Sequence, residues 1–161
     1  MEFKVVEIQR EEGNNVIIGM SHFIKTVEDV YEALITAVPG IEFGFAFNEA
    51  SGPRLIRSCG TNDKLEDTAV KNAQNIGAGH CFVLILSNVF PINILKKLQS
   101  VQEIVSVYCA TANPLKVLVA EEADQRSLVS VFDGMKPLGV EGDEDIRKRK
   151  AFLRDIVKYK R

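Results

Sequence analysis

Groups that bind metals or form cross-links are scarce in this sequence. It holds two histidines and three cysteines in 161 residues. No CxxC, HxxxH or HExxH spacing occurs, so a protein-only transition-metal site would need carboxylates to complete it. An odd cysteine count excludes a closed disulfide framework, and Cys81 and Cys109, set in apolar strand patterns, read as small core residues. The phosphate-binding signatures GxxxxGK[ST] and GxGxxG are absent. No apolar run approaches the roughly 20 residues of a membrane span. The N-terminal residues follow neither a signal-peptide nor a transit-peptide pattern, which predicts a cytoplasmic chain. A formal net charge of −2 argues against nucleic acid as a partner, although the tail from Arg147 to Arg161 is basic.

What remains is an ordinary globular composition, 46% hydrophobic and 26% charged. The length suits one domain over residues 1–161, burying roughly two-thirds of its unfolded surface. Phe3 to Ile8 and Asn15 to Met20 are β-rich and flank a Gly13-Asn14-Asn15 turn, which predicts an N-terminal hairpin. Val27, Val30, Tyr31, Leu34, Ile35 and Val38 repeat at helical spacing after Thr26, an N-cap residue type, and Pro39-Gly40 ends that helix. Ile41 to Phe47 alternates as a strand with three phenylalanines on one side. Gly44 and Ala46 on the other side leave room for a ligand or a close-packed helix. A second helix is expected from about Lys64 to Ile76, and a third opens at Pro91. Strands are expected over Glu103–Ala110, Leu115–Glu121 and Ser127–Phe132, and a charged helix over Asp143–Tyr159. Alternating helices and strands predict an α/β fold, one mixed β-sheet with helices packed on it.

The stretch Asn75 to Leu86 organises the rest. Gly77 and Gly79 stop the second helix; the loop is either a plain helix-terminating turn or an anion nest of backbone N–H groups, and the negative helix end aimed at it opposes a phosphate there. Cys81 to Leu86 is apolar without alternation, as in a central strand covered on both faces. Between them stands His80, which has two readings. One is a structural histidine, hydrogen-bonded at the strand entry; the other is a nucleophile or acid–base group whose charge changes near neutral pH. The helix C-terminus aimed at this loop favours a protonated imidazole. A second constellation of loop residues, Asn48, Glu49, Asn62, Asp63, Asn113 and Asp133, would bind ribose hydroxyls, magnesium or a proton if it converged, and otherwise forms turns.

Motifs along nearly the whole chain carry a resemblance. His22 to Leu34, Phe45-Ala-Phe-Asn-Glu-Ala-Ser-Gly52, Gly60-Thr-Asn-Asp63, Asn75 to His80, Phe90-Pro91, Tyr108 to Pro114 and Val131-Phe-Asp-Gly134 occur in the order seen in the adenosine-specific kinase family, which this sequence resembles. The resemblance implies a three-layer α/β sandwich, assembly as a homo-oligomer (a trimer), and binding of adenosine or AMP in preference to ADP or ATP. It also implies a phosphorylated histidine, here His80 or His22, with His80 preferred for its rigid glycine-flanked setting. Carried onto this chain, Asn48, Ser51, Gly52, Asn62, Gly77, Gly79, Asn113 and Pro114 become nucleotide-binding candidates, and Asp63 or Glu49 becomes the base or metal ligand beside His80. Kinase chemistry with ATP needs magnesium and a triphosphate cradle. No such cradle is legible, so a phosphohistidine relay and a protein that only binds AMP both stay open.

Overall fold

The structure is a computed structural model that describes residues 1–159; the last two residues of the basic tail, 160 and 161, lie outside it. Cys81–Leu86, numbered β5 in chain order, is wholly buried, as expected of a strand with apolar residues on both sides. It is the middle strand of a five-stranded sheet, flanked by β3 (Phe43–Asn48) and β2 (Asn15–Met20), with β4 (Ile56–Gly60) and β6 (Ser106–Thr111) at the edges. Every pairing in this sheet is antiparallel, so the expected mixed sheet is corrected on strand direction.

Alternation in β3 and β5 divides the core into two. Phe43, Phe45 and Phe47 join Phe82, Leu84 and Leu86 on one face, covered by α1 (Thr26–Ala37) and α3 (Pro91–Gln99). Ala46, Cys81, Val83 and Ile85 look the other way, onto α2 (Asp63–Ile76) and a three-stranded antiparallel sheet of β1 (Glu2–Glu7), β7 (Leu115–Glu122) and β8 (Gln125–Asp133). The result is a three-layer α/β sandwich whose third layer is part helix, part sheet.

Gly44 explains how α2 sits so close. A Cβ there would stand 2.1 Å from the backbone carbon of Leu65, so only glycine admits the helix. Of the two uses expected for the small side of β3, the close-packed helix is the one realised at Gly44.

The expected N-terminal hairpin is corrected. β1 pairs with β7 in the small sheet, while β2 pairs with β5 and β6 in the large one. The physical reason is burial: β2 is apolar on both sides and needs two covering layers, whereas β1 is mostly exposed. The first helix also departs in detail, because Thr26 lies inside it after an N-cap at Lys25, and Ile35 faces solvent. At the C-terminus, α4 (Asp143–Ala151) passes into a π-helical turn (Phe152–Ile156), and neither contains a buried residue. Along the apolar face expected of that helix, Ile146, Leu153 and Val157 are half-buried and Ile156 is exposed.

Candidate functional site

A cleft of about 710 Å³ opens at the Cys81 end of the central strand. Its walls are the connection from Asn48 to Ile56, the C-terminal turn of α2 with Gly77 and Gly79, and the tip of the β7–β8 hairpin at Asp124, Gln125 and Arg126. The volume falls in the range of small-ligand sites.

Local chemistry holds these walls in place. Asn62 caps α2, its side-chain oxygen accepting from the N–H groups of Lys64 and Leu65 at 3.1 and 3.3 Å. Gly77 ends the helix in the left-handed region, at φ 61°. Buried Asn48 then ties the strand to that turn: its amide nitrogen donates to the carbonyls of Ala73 and Ala78 at 2.9 and 3.0 Å. The His80 N–H donates to the Asn48 carbonyl at 2.7 Å. The negative helix terminus expected to act on His80 is met instead by Arg126. One guanidinium nitrogen of Arg126 donates to the carbonyls of Asn75 and Ile76, both at 3.3 Å, and another reaches Glu121 at 2.9 Å. Glu49, on the cleft wall, is ion-paired with Arg57 at 3.0 Å.

His80 sits at the cleft's edge with its ring turned away. Gly79 lines the cleft, but the imidazole stacks on Phe47, which belongs to the core face under α1 and α3. The backbone of His80 is left-handed, at φ 61°, a conformation that non-glycine residues hold at a cost. Its carbonyl accepts from the Ser21 N–H at 2.8 Å, which brings exposed His22 into the same neighbourhood.

The candidate residues separate into groups. Asn48, Glu49, Gly77 and Gly79 converge on the cleft wall, with Ser51 and Gly52 in the same connection and His80 next in chain. Asn62 and Asp63 stand at the opposite end of α2, roughly 20 Å away at 1.5 Å rise per residue. Asn113 and Pro114 lie at the Leu86 end of the sheet. There Asp133 accepts from Thr111 at 2.7 Å and from the Asn113 amide at 3.1 Å, closing the β6–β7 connection. Among the described residues no three His, Cys, Asp or Glu side chains gather as a metal site.

Residue patterns had not singled out Arg54, Gln74, Asp124, Gln125 or Arg126 as site residues, yet all line the cleft. The polar run Glu121 to Arg126 between two β-rich stretches is a hairpin signal that would have found the last three.

The chain is thus a three-layer α/β domain with an open polar cleft at the end of its central strand, of a size that small-ligand sites have. The chain belongs to the adenosine specific kinase family, which it matches over residues 6–160. It is similar to the PH1918 protein from Pyrococcus horikoshii OT3, known from a crystal structure. Identity is 42%, the alignment covers 99% of this chain and 98% of that one, and the TM-score is 0.95. No curated protein matches.

Proposed function

We propose that the cleft binds adenosine or AMP and that the chain moves a phosphoryl group to or from the nucleoside through His80. The observation that carries the binding reading is the cleft itself, in a chain of this family: amide side chains of Gln74 and Gln125 for a base or ribose, and the exposed guanidinium of Arg54 for a phosphate. In the forward direction, the donor's P–O bond breaks as a P–N bond to the imidazole forms. The 5′-hydroxyl of adenosine then attacks phosphorus, the P–N bond breaks, and the hydroxyl proton passes to the Glu49 carboxylate. Asp63 lies too far along α2 to serve as that base. Magnesium, when it accompanies a phosphate, is commonly held by one or two carboxylates plus phosphate oxygens, and Glu49 and Asp124 are the carboxylates on the wall.

One observation favours a second reading, a binding or sensing module without turnover: the imidazole is packed against Phe47 rather than lining the cleft. Both readings take the chain to be cytoplasmic, a reducing setting suited to three free cysteines, and homo-oligomeric, with three copies as the family resemblance implies. A phosphoryl-transfer assay on native protein and His80→Ala separates them. Loss of transfer with adenosine binding intact supports the relay, and full activity in His80→Ala removes it. Binding without turnover from any donor leaves the sensing module.

A further inference from the structure

Among the described residues, the C-terminal arm beyond Gly134 buries none of its side chains in its own chain. After β8, Met135, Leu138 and Val140 are 88%, 106% and 97% exposed, so these apolar side chains touch almost nothing. The following helix and π-helical turn bury no residue either, and leave Phe152 and Ile156 in solvent. Eight residues from Met135 to Gly142, at roughly 3.3 Å each, span about 26 Å, enough to carry the helix clear of the body it leaves.

The same chain presents an apolar surface of matching kind. On the outer face of the small sheet Phe3 stands opposite Ala120, Val5 opposite Leu118, and Phe132 opposite Lys116. Phe3, Val5 and Phe132 are each more than half exposed. A solvent-facing sheet surface is normally polar. A groove of about 350 Å³, lined in part by Met1, Ala120 and Ser127, continues this face towards the hairpin tip.

We propose that residues 135–157 of one copy dock across the outer face of the β1–β7–β8 sheet of a second copy. A standard interface takes roughly 20–30 residues from each partner, and the arm supplies a number of that size. The arm and the sheet face are different surfaces of one chain, so the contact is heterologous and closes into a ring when each copy gives its arm to the next. This inference names the surfaces of the assembly proposed above and rests on that reading only in taking the copies to associate.

The test is sedimentation of the full chain beside the full-length double variant Leu138→Asp/Val140→Asp and a chain ending at Gly134. The core contains nothing from the arm, so both are expected to fold, as melting curves would verify. Expected are an oligomeric native chain and at least tenfold weaker association in both variants. A mixture of Leu138→Cys and Val5→Cys chains should also form disulfide-linked pairs on mild oxidation. A native oligomer unaffected by either change would overturn the arm contact and leave the assembly standing. A native chain that sediments as a monomer would overturn both.

Discussion

The imidazole of His80 lies nearly parallel to the ring of Phe47, with centroids 5.9 Å apart and planes 5° apart. Phe47 is buried, so the stack anchors a polar ring on the hydrophobic core at the point where the chain enters its central strand. Two opposed terms meet at this residue. The left-handed backbone costs about 1–2 kcal/mol, and an aromatic contact returns roughly 0.5–1.5 kcal/mol. They nearly cancel, so His80→Gly should melt within a few degrees of the native chain and still bind adenosine, while losing phosphoryl transfer. Melting curves and an activity assay on the same sample check this.

Gly44→Ala should be far more disruptive. The added methyl has no room against the α2 backbone, and overpacking of this sort costs about 3 kcal/mol or more. For a domain of this size that is a fall in Tm of roughly 6–12 °C. An unchanged Tm would show that α2 moves freely on the sheet.

Arg126 joins the hairpin tip to the end of α2 with one side chain. Arg126→Ala frees two helix-terminal carbonyls and leaves the Glu121 carboxylate with Lys4 alone. It should lower stability by about 1–2 kcal/mol and raise hydrogen exchange at the tip, from Glu122 to Gln125, with little change in the strands.

Alkali should destabilise the fold above about pH 9. Burial pushes the Cys59 and Cys81 thiols up to about 12, and that of Cys109 to about 11, from an ordinary 9.0. Hydrogen bonds to Asp29 and Glu103 raise the Lys25 ammonium to about 12 from 10.5. Between pH 9 and 12 the unfolded chain therefore binds fewer protons than the folded one, and stability falls as pH rises through that window. The denaturant midpoint should hold steady from pH 7 to 8.5 and decline beyond 9. Thiol reagents at pH 8 should label the native chain poorly and the unfolded chain fully.

Local patterns made much of this fold legible. The helical repeat from Val27, the glycine stop at Gly77 and the unbroken apolar run from Cys81 were each dictated by short-range chemistry. What escaped was long-range. Gly13-Asn14-Asn15 does turn the chain, but burial sends the flanking strands to different sheets, which no turn signal encodes. The candidate site was legible in half: Asn48, Glu49, Gly77 and Gly79 are near the α2 C-terminus and share a wall. Its other wall, Asp124 to Arg126, arrives through a hairpin pairing with no counterpart near Asn48 in sequence. Asn62 and Asn113 illustrate the reverse, since both are the right residue types for a site and both are spent on caps and turns.

The most direct test of the account is calorimetric titration of adenosine and AMP into the native chain and into Gln74→Trp. Gln74 is exposed on α2 at the cleft wall, so an indole there fills the cleft without entering the core. The account predicts binding of both ligands to the native chain, with affinity at least tenfold weaker in the variant. No binding to the native chain, or equal binding to both proteins, would contradict the assignment of adenosine to this cleft.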